Sequence, residues 1–598
     1  MPLPIFEYKW TWDLKTPPEK LWHLVSDTNR FDRDSGLPPI KYLEKDENEF
    51  QNYRMPLEII VFGIKLKYIQ EPFEWTFPKR FSVVRNYSSG PVKQLKVIAD
   101  LIPKGTGTFL EYKVWATPKD ILGVAAIPFQ IGVLSKINFD KIFRRYDKIA
   151  FENEEIFEQK AKVEFVKGGR KRLKSLEEVL AKRLKNPKIV EVLTNVLTNS
   201  DEIFASKIQP YFIAAKWELN KKEVLEACLE ATRIGLLDFQ WNLLCPSCKG
   251  AKQSKLSLYE IDKEVHCDAC NIDFEANFEN SVEITFKPNQ LIRKVKENEY
   301  CVGGPHLTPH FIAQNLLQPN EEIEISPILE KGRYRIRTLT TKGFKLINSD
   351  PVAELESTFE LTEEGWSSGE NLISTYPKMK FKNSTKTEQL FILERAAWKD
   401  YSTTAMEVFL LQKFKDLFSD EVLKPEMHVS VGNLTILFTD LVQSTRMYYE
   451  IGDAPAFGKV LTHFEILKKA IDANNGAIVK TIGDAVMATF ARPIQAVDAL
   501  IMADEKLEES GLKLKAGIHS GHCLAVTLNE KIDYFGSTVN IAARLVNFSE
   551  GDDVVVSKEV SEDIEVSNWL KKTHHQTKDL STEIKGFDNQ FELLKIEL

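Results

Sequence analysis

Gly432-Asn-Leu-Thr-Ile-Leu-Phe-Thr-Asp-Leu-Val-Gln-Ser-Thr445 is the segment around which the C-terminal part of this chain is organised. Its apolar and β-branched run, Leu434 to Phe438, predicts a buried strand. The run leads into Asp440, and a helical pattern follows. A carboxylate at the mouth of a buried strand is costly unless a positive group meets it. Hard divalent cations take carboxylate oxygens, so the segment predicts a metal ligand.

A second carboxylate follows in Val479-Lys-Thr-Ile-Gly-Asp-Ala-Val-Met-Ala-Thr-Phe490. Two apolar β stretches flank Gly483 and Asp484, and this pattern predicts a hairpin with its turn at those two residues. An aspartate at a strand end and another at a hairpin tip can converge and hold two metal ions, as phosphoryl chemistry requires. Taken singly, each is also compatible with an ordinary turn residue.

The third informative stretch is Lys531-Ile-Asp-Tyr-Phe-Gly-Ser-Thr-Val-Asn-Ile-Ala-Ala-Arg-Leu545. Thr538 is predicted to cap a helix that runs from Val539 to about Asn547. Asn540 and Arg544 are four residues apart, so they share one face of that helix.

These three stretches resemble, in order and in spacing, the class III nucleotidyl cyclases, the family of adenylate and guanylate cyclases. The resemblance covers roughly Val429 to Val560 and implies a ferredoxin-like βαββαβ catalytic domain with two Mg²⁺ or Mn²⁺ ions per active site. The roles it implies are metal binding for Asp440 and Asp484, purine recognition for Lys480 and Asp533, ribose orientation for Asn540, and transition-state stabilisation for Arg544.

The purine-reading pair predicts the base. Adenine offers an amino donor at N6 and an acceptor at N1, which a lysine donor and an aspartate acceptor complement. Guanine would leave these groups mismatched, and buried mismatches are heavily penalised. Guanylate cyclases of this family usually carry Glu and Cys at these positions, so Lys480 and Asp533 predict conversion of ATP to cyclic AMP and pyrophosphate.

The resemblance also implies a homodimer, because class III sites form between two protomers. Asp440 and Asp484 would come from one chain, and the other four site residues from its partner. Upstream domains that rotate the two catalytic domains would then regulate the rate. The alternative is a catalytically weak or silent cyclase-like scaffold that acts mainly as a ligand or nucleic-acid sensor.

Length and composition predict a soluble multidomain α+β protein. The 598 residues are too many for one core, and a net charge of -8 gives no general reason to expect nucleic acid as a partner. The start of the chain lacks a basic, apolar signal peptide. The apolar run Ile121–Leu134 is short and interrupted by Pro128, so it predicts a buried helix rather than a membrane span. We therefore expect a cytoplasmic protein.

Residues 1–150 form the first predicted domain. It begins with a strand pattern at Phe6–Trp12, which is followed by a helix pattern at Pro17–Ser26, several β patterns and a last apolar helix. This order, with the Pro-Pro-Glu-x-Leu-Trp start, resembles the SRPBCC (START-like) helix-grip superfamily. The resemblance implies a cavity for a small apolar ligand, and a packing module with a filled core is the alternative.

Residues 151–240 are predicted to be helical, and residues 241–278 to form a zinc ribbon. Residues 279–425 are predicted to form a β-sandwich-like domain with a C-terminal helix from Trp398 to Phe418. Residues 426–598 are predicted to form the catalytic domain. Two Cys-x-x-Cys pairs separated by eighteen residues can present four thiolates to a structural Zn²⁺; they are Cys245, Cys248, Cys267 and Cys270. A redox role is the alternative. This domain order resembles bacterial multidomain adenylate cyclases.

Overall fold

The computed structural model describes residues 3–43, 54–61, 63–152, 163–246, 249–267, 272–341, 343–396, 401–418, 421, 423, 428–528, 531–587 and 590–598.

The N-terminal region is an antiparallel sheet with two short helices and a long C-terminal helix, in the predicted order. Its elements are β1 Phe6–Leu14, α1 Pro18–Val25, α2 Thr28–Asp34, β2 Lys41–Tyr42, β3 Met55–Val61, β4 Ile64–Gln70, β5 Glu74–Thr76, β6 Arg80–Tyr87, β7 Val92–Lys104, β8 Gly107–Pro118, α3 Ile121–Ile127, a π-helical stretch Pro128–Ser135, and α4 Lys136–Phe151. Phe143 of α4 packs on Trp12 of β1 and on Phe31 of α2, with ring centroids 4.7 and 5.2 Å apart. The helix thereby closes an aromatic core over the sheet.

The predicted apolar helix at the end of this region is observed, but the prediction that its first part, Ile121–Leu134, is buried is wrong. α3, the π-helical stretch and α4 form one continuous helix of 31 residues, Ile121–Phe151, and by length and composition alone this helix could cross a membrane. The helix passes Pro128 by changing to the wider π-helical turn. Its first part contacts the sheet through few side chains, so Ile121 and Phe129 are 81% and 64% exposed.

The middle of the chain is a helical cluster packed on a small sheet. The helices are α5 Gly169–Arg183, α6 Pro187–Asn199, α7 Glu202–Ala205, α8 Pro210–Lys216 and α9 Lys221–Arg233; the strands are β9 Leu237–Leu244, β10 Ala251–Lys255, β11 Glu264–Cys267, β12 Ile272–Glu275 and β13 Val282–Pro288. β9 and β10 form one hairpin, and β11 and β12 form a second. Trp241 is fully buried where the helices meet the sheet.

A β-rich region follows, with β14 Phe311–Leu317, β15 Glu322–Ile325, β16 Gly332–Arg337, β17 Lys345–Thr362, β18 Gly365–Trp366, β19 Glu370–Asn383 and β20 Gln389–Arg395. The predicted sandwich of two sheets is not observed. Long, bulged strands carry one continuous hydrogen-bonded path, β14-β20-β16-β17-β19-β15, around a single apolar core. β14 also pairs with β5, so this region and the N-terminal region share one sheet.

The connection to the C-terminal domain contains β21 Thr403–Thr404, α10 Ala405–Phe409 and α11 Gln412–Leu417. A single helix from Trp398 to Phe418 was predicted; Trp398 lies outside the described residues, and the rest forms two short helices. Thr404 and Glu407 make a capping box that starts α10, and extended backbone at Leu411 separates it from α11.

The C-terminal domain contains the predicted βαββαβ order. Its elements are β22 His428–Leu441, α12 Ser444–Ile451, α13 Asp453–Ala473, β23 Ala477–Ile482, β24 Ala485–Phe490, α14 Pro493–Glu509, β25 Leu514–Leu528, β26 Lys531–Phe535, α15 Ser537–Leu545, β27 Asp553–Ser557, α16 Lys558–Ser561, α17 Ile564–Thr573, β28 Thr577–Glu583 and β29 Gln590–Glu597. The sheet order is β23-β24-β22-β25-β27-β29-β28, with β26 on β25.

β22 is buried on both faces because its side chains alternate between two cores. Leu437 and Leu441 join the core with α13 and α14. Ile436 and Phe438 join a second core that also contains Phe414 of α11 and the middle helices. The connecting segment and the middle region therefore cover one face of the C-terminal sheet.

Candidate functional site

Asp440 and Asp484 lie side by side at one end of the C-terminal sheet. Thr439 of β22 pairs with Val486 of β24, and the β23–β24 hairpin turns at Gly483 and Asp484 as predicted. Gly483 has φ 66°, which suits glycine in a tight turn. Burial, and then the charge of Asp484, raise the pKa of Asp440, although Lys515 opposes the shift. Two carboxyl groups that both ionise to negative charges thus lie next to each other in partly buried surroundings.

This carboxylate pair fits a divalent cation. Oδ2 of Asp484 is buried and has no hydrogen-bond partner among the described residues. Within that part of the chain no cluster of three or more His, Cys, Asp or Glu side chains is placed to hold a metal. A cation on the two aspartates would therefore complete its shell with water and substrate oxygens, which is the usual coordination of Mg²⁺ at phosphate sites.

His463 of α13 was not predicted as part of this site. It is fully buried, and neither ring nitrogen has a hydrogen-bond partner in the part of the chain that the structure describes. Burial lowers its pKa to about 4, while the charge of Asp484 acts in the opposite direction. A neutral imidazole thus lies within electrostatic reach of the carboxylate pair, on a helix whose sequence carries no motif for it.

Lys480 and Asp533 form the second charged pair. Lys480 Nζ lies 2.5 Å from Asp533 Oδ2, and the side chains are 37% and 9% exposed. Oδ1 of Asp533 accepts a hydrogen bond from the backbone N–H of Tyr534, at 2.8 Å. The structure thus joins two residues that are 53 positions apart in the chain. The opposite charges of Lys480 and Asp533 thus compensate each other, whereas the two aspartates carry charges of the same sign.

Asn540 and Arg544 lie on one helix, as predicted, but the predicted cap is wrong. Gly536 is the N-terminal cap of α15, and Thr538 lies inside the helix, where its hydroxyl donates to the backbone oxygen of His522 at 2.8 Å. The hydroxyl thus ties α15 to the sheet.

The guanidinium of Arg544 lies over the ring of Phe587, 5.5 Å from its centroid, and Asn540 is exposed. Among the described residues, no hydrogen bond or ion pair connects Asn540 or Arg544 to either charged pair.

Cys245 and Cys267, one from each predicted pair, lie at strand ends of the two middle hairpins. Cys245 follows β9 directly, Cys267 ends β11, and both are fully buried. The backbone oxygen of Cys245 accepts from Lys249 N at 2.8 Å, and its N–H donates to Gly250 O at 3.0 Å, which forms a tight loop around Cys245. Cys248 and Cys270 lie outside the described residues.

A cavity of about 200 Å³ lies between the N-terminal sheet and the long helix. Most of its lining is apolar, for example Leu95, Val97 and Phe139. Its polar lining includes the ion pair between Arg85 Nη2 and Asp32 Oδ2, which are 3.0 Å apart. Apolar walls with a few polar groups are the usual lining of a small-molecule site.

Residues 427–593 match the family model of the adenylate and guanylate cyclase catalytic domain. The C-terminal domain of this chain is therefore a class III cyclase catalytic domain. Residues 171–301, which include the helical cluster and the cysteine hairpins, match a family of unknown function, DUF5939.

Curated relatives match part of this chain. An adenylate cyclase of Lachancea kluyveri is 26% identical over an alignment of 215 residues that covers 31% of this chain and 12% of that protein. The pH-sensitive adenylate cyclase MT1302 of Mycobacterium tuberculosis is 30% identical over 131 residues, which is 22% of this chain and 32% of that protein. The chain thus spans a third or less of the length of these two relatives.

Two solved structures are also similar to part of this chain. The adenylyl cyclase CyaB from P. aeruginosa is 19% identical and has a TM-score of 0.25, with 28% of this chain and 95% of that chain covered. The guanylate cyclase domain of RhGC from Catenaria anguillulae, solved with GTP, is 18% identical and has a TM-score of 0.25, with 28% and 97% covered.

Proposed function

We propose that this protein is an adenylate cyclase that converts ATP to 3′,5′-cyclic AMP and pyrophosphate. The observation that carries the proposal is the presence, in one cyclase catalytic domain, of an unneutralised carboxylate pair, Asp440 and Asp484, and a lysine–aspartate pair, Lys480 and Asp533. The first suits cations and a triphosphate, and the second suits an adenine edge. ATP is an intracellular substrate, so the proposal places the catalytic domain in the cytoplasm.

Asp440 and Asp484 would hold Mg²⁺ or Mn²⁺, which when bound supply positive charge that favours the ribose 3′-alkoxide and the leaving pyrophosphate. The 3′-hydroxyl loses its proton to solvent, and its oxygen bonds to the α-phosphorus as the bond from that phosphorus to the bridging oxygen of pyrophosphate breaks. Arg544 stabilises the charge on the phosphoryl oxygens, because its planar guanidinium offers several donors in a fixed arrangement. Asn540 orients the ribose by hydrogen bonding.

Lys480 and Asp533 would select the base. The lysine ammonium donates to N1 of adenine, and the aspartate accepts from the N6 amino group. Guanine presents a donor at N1 and an acceptor at O6, so each partner would meet a group of the wrong kind, and such mismatches cost orders of magnitude in rate. The 2.5 Å contact between Lys480 and Asp533 keeps the two groups together until a base engages them.

We propose that the active protein is a homodimer with two equivalent sites. Each site would take Asp440 and Asp484 from one protomer, and Lys480, Asp533, Asn540 and Arg544 from the other. This arrangement is supported by α15, since no hydrogen bond or ion pair among the described residues ties Asn540 or Arg544 to Asp440 or Asp484 of the same protomer.

The upstream regions would regulate this reaction. The N-terminal region would bind a small, mainly apolar ligand in its cavity as an SRPBCC-type sensor. Cys245, Cys248, Cys267 and Cys270 would hold a structural Zn²⁺, a role supported by the two hairpin turns that place Cys245 and Cys267 in buried positions. Metal analysis of the purified protein tests the zinc, with one equivalent per chain expected and none in a Cys245→Ser/Cys267→Ser variant.

The reaction itself is tested by incubating the purified full-length protein with ATP or GTP and with Mn²⁺ or Mg²⁺. Cyclic AMP from ATP is expected, with little cyclic GMP from GTP. Cyclic GMP as the main product would overturn the assignment of the base. Binding of nucleotide without any product would instead favour a cyclase-like scaffold.

A further inference from the structure

The short helix α11 contacts the nucleotide site from outside the catalytic domain. It spans Gln412–Leu417, before the residues that match the cyclase family model. Oε1 of Gln412 accepts a hydrogen bond from the backbone N–H of Ile478 at 2.9 Å. Nζ of Lys415 donates to the backbone oxygen of the same residue at 3.4 Å. Both backbone groups of Ile478 are therefore bonded by side chains of α11.

Ile478 lies directly before a β-bulge in β23. This strand is at the edge of the sheet, and its register with β24 shifts between Ile478, which faces Ala488, and Lys480, which faces Met487. Val479 is the extra residue. A bulge of this kind locally breaks the ladder and redirects the next side chain. The next side chain here is Lys480, which reaches Asp533.

We propose that Gln412 and Lys415 are positioning residues for the base-reading pair: they hold β23 at its bulge so that Lys480 meets Asp533, and they thereby set the preference for adenine over guanine. This inference rests on the proposed adenylate cyclase function. It places part of the specificity apparatus in a segment that precedes the catalytic domain.

Lys415 also contacts the other strand of the pair. Its ammonium lies 5.6 Å from the ring centroid of Tyr534, the residue after Asp533 on β26. Burial lowers the pKa of Lys415 to about 7, and the charge of Asp533 opposes this shift. One side chain of α11 thus reaches both strands that carry the base-reading residues.

α11 is anchored to the rest of the molecule on its other sides. Asp416 accepts hydrogen bonds from Gln412 Nε2 and from Lys468 Nζ of α13, both at 2.9 Å. Lys413 forms an ion pair with Glu230 of α9 in the helical region upstream. A displacement of the upstream helices would therefore be transmitted through α11 to Lys480. This connection gives the upstream regions a direct route to substrate selection.

The test compares the ratio of kcat/KM for ATP to that for GTP in the full-length protein and its variants. Gln412→Ala and Lys415→Ala are expected to lower this ratio by about tenfold, because small misplacements of binding groups cost one to two orders of magnitude. The loss should lie mainly in KM for ATP. The double variant Gln412→Glu/Asp416→Asn keeps an acceptor for the Ile478 N–H and a donor–acceptor pair between positions 412 and 416, and it is expected to restore the ratio.

Lys571→Ala is the control, since it removes an exposed lysine of α17, outside α11 and β23. Hydrogen exchange of the backbone amides of residues 477–482 supplies a readout besides activity, with faster exchange expected in Gln412→Ala and Lys415→Ala and not in the control. Thermal unfolding checks that each variant is folded. If Gln412→Ala does not fold, Lys415→Gln replaces it.

An equal loss of activity toward both nucleotides, or an unchanged ratio and unchanged exchange, would overturn the proposal. Absence of product from the unaltered protein would instead refute the proposed function. In that case competition of ATP and GTP for binding decides the inference: a shift in preference in Gln412→Ala supports it, and an unshifted preference refutes it.

Discussion

The two charged pairs of the catalytic domain are opposites. Asp440 and Asp484 bring two negative groups together, leave one buried oxygen without a partner among the described residues, and raise the pKa of Asp440. Lys480 and Asp533 bring opposite charges within 2.5 Å. The first pair needs positive charge from outside the chain, whereas the second is satisfied and must be opened by a ligand. The difference indicates where cations and where the base would bind.

The largest effect on activity is expected from removal of one of the two aspartates, Asp440 or Asp484. Asp440→Ala or Asp484→Ala should lower kcat by about 10³-fold or more, because charge stabilisation at the phosphoryl group is usually the largest single contribution to such catalysis. Formation of cyclic AMP in the presence of Mn²⁺ measures the effect. Asp579→Ala, on the exposed part of β28, is the control. Activity within tenfold of the unaltered protein in either site variant would contradict the metal-binding role.

The next largest effect concerns Arg544. Arg544→Ala should lower kcat by about 10²- to 10³-fold, and Arg544→Lys should recover little of it, because an ammonium does not reproduce the donor geometry of a guanidinium. Steady-state kinetics with ATP measures both variants.

The same variant tests the division of the site between protomers. Mixing and co-refolding Asp440→Ala with Arg544→Ala should restore up to about a quarter of full activity, because half of the dimers then contain one intact site. Persistent inactivity of the mixture would mean that both residues serve the same site within one chain.

Substitution of Lys480 and Asp533 should lower the rate less than loss of Arg544 does, but it should change the preference between ATP and GTP. In the double variant Lys480→Glu/Asp533→Cys the preference for ATP over GTP should fall by about 10²-fold, since each altered group then meets the guanine edge. The ratio of kcat/KM for the two nucleotides measures it. A loss of turnover with an unchanged preference would show that these residues do not contact the base.

The smallest effect is on the stability of the metal-free protein. The pKa of Asp440 is raised in the folded state, so its ionisation destabilises the fold, and this penalty develops as the pH rises through the ordinary carboxyl pKa of about 4 and beyond. In EDTA at neutral pH, Asp440→Asn should therefore raise Tm by about a few degrees. Added Mn²⁺ should stabilise only the unaltered protein. An equal Tm with and without the substitution at neutral pH would contradict the charge repulsion.

Local sequence patterns predicted the positions of Asp440 and Asp484 at a strand end and a hairpin tip. They did not predict the contact between Lys480 and Asp533. Asp440 ends a buried strand and Asp484 lies at a hairpin tip, and both signals are contained in short stretches. The contact between Lys480 and Asp533 joins β23 to β26, so only the family resemblance predicted that they act together. His463, Gln412 and Lys415 were missed because single polar residues on helices carry no pattern that identifies what they face.

The largest errors concern the surfaces between elements. Ile121–Leu134 was predicted to be buried because it is apolar, but much of this first part of the long helix is exposed. The predicted sandwich is instead one sheet, joined to the N-terminal region through the pairing of β14 with β5. Hydropathy indicates that a segment is apolar, but it does not specify which neighbour covers it.

The sequence by itself determined the hairpin turn at Gly483 and Asp484 and the kinds of group available for chemistry, because turn residues and motifs are local. The βαββαβ order of the catalytic domain was implied by the family resemblance that those motifs carry. Only the tertiary structure decided that β5 meets β14 and that α11 bonds the bulged edge of β23. These contacts engage backbone N–H and C=O groups, which all residues except proline carry alike, so no side-chain pattern encodes the partner in advance.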